Sequence, residues 1–152
     1  MADIGSGAGV PGLVLAVELP EVAVTLIERR EGRTTWLEEA AAALAQDGVV
    51  VEVCGADVYD LGHGAGREQF HLVTARAFGS PAVTAELGGA LLRVGGVLVV
   101  SEPPDQPDRW RTVDLVGLGL TDQGAMDNDG VRFHLVRRAT DLDPSRPRRR
   151  PR

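Results

Sequence analysis

The sequence has no lysine, a single cysteine and no long apolar run in its 152 residues. One cysteine cannot form an internal disulfide, so a disulfide-stabilised scaffold is excluded and a reducing compartment, the cytoplasm, is expected. Cys54 lies in an apolar run, where a core role is expected rather than that of a nucleophile. Because no apolar run reaches about 18 residues, we expect no membrane span. We also expect no metal site, since the histidines lack the spacing of metal ligands: His63, His71 and His134.

The 16 basic residues are all arginines, and they are unevenly placed in a chain of net charge −6. Five of them lie in residues 145–152, which contain no acid. The acidic remainder argues against broad electrostatic capture of nucleic acid by the folded part. We therefore predict a folded domain over residues 1–138 and a disordered Pro/Arg-rich tail over residues 139–152. The arginines of this tail could contact phosphate groups.

Apolar, β-branched runs alternate with runs of helical periodicity, which predicts an α/β domain with a mainly parallel sheet. Residues 2–4 form only the end of a first strand, so this strand is predicted to be truncated. Further strands are predicted at 22–28, 49–54, 70–75 and 97–101, and helices at 11–19, 31–46 and 81–92. Residues 55–69 are predicted to be a connection, and a short helix is predicted near 110–118. An antiparallel hairpin, 121–126 with 131–137, closes the sheet around the turn formed by residues 127–130.

A glycine-rich loop separates the first strand from the first helix, with glycines at positions 5, 7 and 9. Gly5, Gly7 and Gly9 permit a tight turn and let a ligand approach the backbone. Glu28 ends the second strand, where an acid can accept hydrogen bonds from ribose hydroxyls. A dinucleotide-binding loop would carry a glycine where Val10 stands, so the spacing disfavours a dehydrogenase and favours S-adenosylmethionine. The alternative is an ordinary glycine-rich turn.

Two further candidates follow predicted strands. Asp57 comes after the third strand, and either accepts a hydrogen bond from the adenine amino group or caps a helix that begins at Val58. Arg76 ends the fourth strand beside the expected cleft, where a cation can orient an acceptor or hold a carboxylate. The alternative for Arg76 is a surface ion pair. No serine lies in a hydrolase-type elbow, so a serine nucleophile is not predicted.

These motifs resemble the glucose-inhibited division protein B family, the bacterial 16S rRNA guanine-N7 methyltransferases. The likeness runs from Asp3 to about Val100. It includes Asp-Ile-Gly-Ser-Gly-Ala-Gly-Val-Pro-Gly-Leu at 3–13 and Val-Thr-Ala-Arg-Ala-Phe at 73–78. The resemblance implies a Rossmann-like class I methyltransferase fold that binds S-adenosylmethionine. The cofactor contacts that it implies are at Gly5, Val10, Glu28, Ala56, Asp57 and Arg76.

The resemblance also implies 16S rRNA, or the small ribosomal subunit, as the partner of a monomeric enzyme. Guanine N7 already carries a lone pair, so no catalytic base is assigned. The family has a lysine and a glycine after the fifth strand, where this sequence reads Ser101-Glu102-Pro103-Pro104. Two alternatives stay open: a related methyltransferase with a small-molecule or protein acceptor, and an inactive remnant that binds the cofactor.

Overall fold

A computed structural model describes residues 1–103, 105–106 and 109–148 of the chain. Seven strands form one sheet in the order β3-β2-β1-β4-β5-β7-β6. The strands are β1 (Ala2–Ile4), β2 (Val24–Ile27), β3 (Val51–Cys54), β4 (Phe70–Arg76), β5 (Leu92–Glu102), β6 (Leu120–Asn128) and β7 (Val131–Arg138). The helices are α1 (Gly12–Glu18), α2 (Glu31–Gln46), α3 (Val58–His63) and α4 (Pro81–Leu91), and a short 3₁₀ helix spans Val116–Leu118.

The first five strands are parallel, and β1 lies at their centre although it has only three residues. Ala2 pairs with Thr25 on one side and with Val73 on the other, and all three residues of β1 are buried. A strand covered on both faces needs mostly apolar side chains in both directions, in agreement with the buried Leu26-Ile27 pair of β2 and the buried Val73 of β4. The carboxyl ends of these strands therefore meet at one edge of the sheet.

Two apolar layers cover the faces of the sheet. On one face, α1 and α2 pack on β2 and β3 through Ala16, Leu26 and Leu37. On the other, α4 packs on β4 and β5, and α3 packs on α4, around a larger core that contains Leu87 and Leu98. The antiparallel strands β6 and β7 extend the sheet beyond β5, and the backbone between them turns at Asp129 and Gly130 with φ of 48° and 80°. This is the two-residue hairpin turn that the Asp-Gly pair favours.

The structure confirms the mainly parallel sheet and its antiparallel hairpin, and it differs from the prediction in three local features. The connection at 55–69 contains α3, whose six residues are too few to show a clear period. The fifth strand, predicted at 97–101, begins earlier, at Leu92, and its register with β4 shifts between Phe70 and Leu72. The helix predicted near 110–118 is reduced to the 3₁₀ helix.

Residues 139–148, which belong to the tail predicted to be disordered, pack against the domain in the structure. Leu142 and Pro147 are buried, and the Arg67 guanidinium donates to the carbonyl oxygens of Leu142 and Arg146 at 3.1 and 2.7 Å. The Arg146 guanidinium contacts the buried Glu86 carboxylate of α4 at 2.9 Å. The prediction relied on proline and arginine content alone, which does not reveal these partners. The remaining residues of the predicted tail, 149–152, lie outside the described residues.

None of the helices among the described residues has both the length and the apolar composition of a membrane span.

Candidate functional site

The glycine loop between β1 and α1 lies at the carboxyl edge of the sheet, and its conformation depends on its glycines. Gly5, Gly7 and Gly9 have φ of 65°, 55° and 84°, a backbone conformation that residues with a Cβ rarely adopt. The loop is attached to the end of β2, because the backbone N–H groups of Gly5 and Ser6 both donate to the Ile27 carbonyl, at 2.8 and 3.1 Å. The glycines thus hold a tight turn against the neighbouring strand.

Asp3 fixes the base of this loop from inside the sheet. Its carboxylate accepts hydrogen bonds from the Thr74 hydroxyl at 2.8 Å and from the Gly12 N–H at 3.3 Å. The Ser6 hydroxyl donates to the Asp3 carbonyl at 2.8 Å. Burial raises the pKa of the Asp3 carboxyl, and these hydrogen bonds and the charge of Arg76 oppose that rise. Asp3 therefore ties β1 to β4 and to the start of α1.

Glu28 connects the end of β2 to the glycine loop. Its side chain is only 5% exposed, and its two oxygens accept hydrogen bonds from the Gly7 N–H at 3.1 Å and from the Arg30 N–H at 2.9 Å. Arg33 lies 3.8 Å away as a counter-ion. A carboxylate has about four acceptor positions, so Glu28 retains capacity for ligand hydroxyls. Glu28 is thus both a brace for the loop and a free acceptor at the edge of the sheet.

Asp57 caps the start of α3, which is one of the two roles that the sequence allowed for it. Its carboxylate accepts a hydrogen bond from the Tyr59 N–H at 2.9 Å at the start of α3, and it pairs with Arg29 at 3.3 Å. Ala56 precedes it, with its N–H donating to the Cys54 carbonyl at 3.0 Å. Capping uses one oxygen, so it does not prevent Asp57 from accepting a ligand hydrogen bond as well.

Two recesses adjoin the glycine loop. The first, called here the Glu28 recess, is lined among others by Gly5, Glu28, Arg33, Ala56, Asp57 and Phe78. The second, called the loop recess, is lined among others by Gly5, Gly7, Val10, Arg33, Trp36 and Arg76. Both recesses include Gly5, Arg33 and Ala77, so they are adjacent. Together they bring seven of the eight predicted site residues to one edge of the sheet.

Gly9 is the predicted site residue that lines neither recess. A Cβ at this position would lie 2.3 Å from the Leu13 Cδ1 atom and 3.3 Å from the Leu37 Cδ2 atom. Gly9 therefore lets the loop pack closely on α1 and α2.

Arg33 and Phe78 contribute to this site, and sequence reasoning gave neither of them a role. Arg33 lies on the first turns of α2, half exposed, and lines both recesses beside Glu28. Phe78 lies close to the loop, since a Cβ on Gly5 would meet its ring at 2.7 Å. The signals were weak: an arginine at the start of a helix resembles any exposed cation, and Phe78 follows a strand in an irregular segment.

The chemistry of the site is that of a binding cleft with buried acceptors and exposed cations. Among the described residues, no group of three or more His, Cys, Asp or Glu side chains is arranged to hold a metal ion. Burial raises the pKa of the Cys54 thiol, which makes it a weak nucleophile and agrees with a packing role. The arrangement suits a ligand with hydroxyl donors for Glu28 and an anionic group for Arg33 or Arg76.

Comparison with known proteins identifies relatives of this chain. The family model described as rRNA small subunit methyltransferase G matches residues 1–111. The proteins named ribosomal RNA small subunit methyltransferase G include one from Levilactobacillus brevis, 39% identical over 99 residues, with 65% of this chain and 41% of the relative covered. Another, from Thermotoga neapolitana, is 30% identical over 156 residues, with 98% of this chain and 67% of the relative covered. The chain spans less than half the length of several such relatives. It covers, for example, 45% of the protein from Clavibacter michiganensis.

Solved structures share the fold at lower sequence identity. A 16S rRNA adenine-N1 methyltransferase variant from Catenulisporales acidiphilia, solved with its cosubstrate, has a TM-score of 0.72 at 16% identity, with 93% of this chain and 85% of that chain covered. The antibiotic-resistance methyltransferase Kmr has a TM-score of 0.68 at 18% identity, with 90% and 85% covered. The sheet described above is therefore that of class I methyltransferases.

Proposed function

Because the chain belongs to the rRNA small subunit methyltransferase G family, we propose that it is an S-adenosylmethionine-dependent methyltransferase that acts on a guanine N7 of 16S rRNA. The observation that carries this proposal is the buried Glu28 carboxylate beside a loop of positive-φ glycines at the carboxyl edge of a parallel sheet. This edge is where open α/β sheets bind ligands. The methyltransferase domain comprises residues 1–138, and residues 139–148 pack against it.

The described residues fit the cofactor. Glu28 has unused acceptor positions for the ribose hydroxyls, and the Ala56-Asp57 pair lies in the same recess for the adenine. Gly5, Gly7 and Val10 line the loop recess, which would hold the methionine portion, and Gly9 lets the loop pack on α1 and α2. Arg76 and Arg33 line the loop recess and supply cations for its carboxylate.

When bound, S-adenosylmethionine supplies an electrophilic methyl group on a sulfonium centre. The N7 atom of guanine carries its own lone pair, so the protein needs to remove no proton before transfer. The residues of this chain therefore act by binding and orientation, holding the reacting atoms in line and excluding water. Among the described residues that line the loop recess, none is an acid or a histidine.

We further propose that the protein acts as a cytoplasmic monomer on the small ribosomal subunit. An acidic chain of net charge −6 gains little long-range attraction to RNA, so recognition relies on local arginines and on the shape of the assembled subunit.

Two measurements on the purified full chain test this function. Calorimetric titration with S-adenosylhomocysteine is expected to give micromolar binding. Incubation with small subunits that lack the modification and tritiated S-adenosylmethionine is expected to label rRNA, and nuclease digestion should recover the label as N7-methylguanosine. Label in protein or in small molecules instead would point to a different acceptor. Absence of cofactor binding would contradict the proposal at its first step.

A further inference from the structure

A third recess lies at the carboxyl ends of β4 and β5, next to the two recesses of the proposed cofactor site. This recess, called here the β5 recess, has a volume of about 420 Å³ and is lined among others by Arg76, Phe78, Thr84, Ser101, Glu102 and Arg109. It shares Arg76 and Ala77 with the loop recess, and Ala77 and Phe78 with the Glu28 recess. Its volume is within the range of small-ligand sites. A base held there would lie beside the cofactor.

Glu102 is the acid among the described residues that line this recess. It is the last residue of β5, and its side chain is only 4% exposed. One carboxylate oxygen accepts a hydrogen bond from the Trp110 Nε1–H at 2.9 Å, and the other contacts the Arg109 guanidinium at 3.1 Å. Buried acids are rare unless their charge and hydrogen bonds are compensated, and here both are.

The partners of Glu102 are themselves held in place. Trp110 is 5% exposed and stacks on the His134 ring, with ring centres 4.4 Å apart. Arg109 also donates to the Gly79 carbonyl at 3.5 Å, which connects it to the segment after β4. The carboxylate is thus fixed in orientation before any ligand arrives. Each oxygen uses one acceptor position, so one position on each remains for a ligand.

We propose that the β5 recess binds the acceptor base, and that Glu102 selects guanine by accepting hydrogen bonds from its N1–H and its N2 amino group. This inference rests on the proposed function and names the residue that chooses the base. Guanine presents these two donors side by side, so a carboxylate can accept from both. Adenine presents an acceptor at N1, which would face the carboxylate without a proton between them. A base taken out of its stack is read in this way, through its Watson–Crick edge.

The same contact orients the reacting atom. In guanine, N7 lies on the side of the ring opposite the N1 and N2 edge. A guanine held through that edge by Glu102 therefore points N7 away from β5. The recess adjoins the loop recess at Arg76 and Ala77, where the cofactor would lie. Glu102 thereby provides both base selection and the orientation that transfer to N7 requires.

The test compares three nucleotides that share ribose and phosphate and differ in the base: GMP, IMP and AMP. IMP keeps the N1–H but lacks the N2 amino group. Titrations of the full chain, saturated with S-adenosylhomocysteine, are expected to give affinities in the order GMP, IMP, AMP. The span from GMP to AMP is expected to be at least about tenfold, because hydrogen bonds to a charged group are involved. Equal affinities, or no measurable binding of GMP, would overturn the proposal.

The variant Glu102→Gln keeps an oxygen for Trp110 but cannot accept two hydrogen bonds from guanine with its amide group. It is expected to bind S-adenosylhomocysteine as the wild type does and to reduce the GMP preference over AMP to less than about threefold. Glu52→Gln, at the exposed position of β3, is the matched control and should keep the preference. If Glu102→Gln keeps the full preference for GMP over AMP, another residue selects the base and the proposal is wrong. If the wild type does not bind S-adenosylhomocysteine at all, the proposed function itself is refuted.

Discussion

Glu28 offers the sharpest test of the proposed cofactor site, because its contacts within the glycine loop and its proposed contact with the cofactor are separable. Replacing Glu28 by Ala removes the acceptor for the Gly7 and Arg30 N–H groups and the counter-ion of Arg33. If Glu28 also accepts from the cofactor ribose, Glu28→Ala should weaken cofactor binding by about 1–3 kcal/mol, a factor of about 5 to 150 in Kd. Loosening of the loop should lower the free energy of unfolding by about 1–3 kcal/mol as well.

The assay is calorimetric titration with S-adenosylhomocysteine, paired with urea denaturation of each variant. Glu28→Gln retains one acceptor oxygen, so it should show a smaller change than Glu28→Ala in both measurements. Glu52 lies on the surface, where its carboxylate accepts a hydrogen bond from the Thr25 hydroxyl, so Glu52→Gln should have the Kd of the wild type. An unchanged Kd in Glu28→Ala, together with lower stability, would refute the ligand contact and leave Glu28 as a brace for the glycine loop.

Three further predictions concern the loop, its buried base and the C-terminal segment. Gly5→Ala should weaken S-adenosylhomocysteine binding and lower the melting temperature more than Gly95→Ala, since both positions have positive φ but only Gly5 meets another side chain; equal effects would contradict this. The pKa of Asp3 is raised above its ordinary 3.8, so the folded state favours the neutral form of this carboxyl. In urea titrations, the free energy of unfolding of the wild type relative to Asp3→Asn should therefore fall as pH rises from about 4 through that raised pKa. A pH-independent difference between the two proteins would argue against this effect. Glu86→Ala should lower the free energy of unfolding by about 1–3 kcal/mol, because Arg146 loses a buried partner. The loss is moderate because the Arg146 guanidinium can still be hydrated by solvent. An unchanged denaturation midpoint would show that this contact does not stabilise the protein.

The type of fold and the position of the glycine loop follow from the amino-acid sequence alone. Gly5, Gly7 and Gly9 predict positive φ because only glycine adopts it at little cost, and all three have it. Helix α2 was predicted with its observed bounds, since sixteen residues give a clear helical period. The Asp129-Gly130 turn followed from the same local preference. These features depend on residues that are close in the chain, so local chemistry is sufficient to predict them.

Which distant groups meet depends on the three-dimensional fold. Glu28 and Gly7 are brought together by the parallel pairing of β1 with β2, and Arg67 meets the carbonyls of residues 142–146 only after the chain has folded. Glu102 reads in the sequence as a polar residue before two prolines, yet in the fold it is buried between Trp110 and Arg109 at the edge of a recess. Burial and hydrogen-bond partners are properties of three-dimensional packing, so no local pattern encodes them.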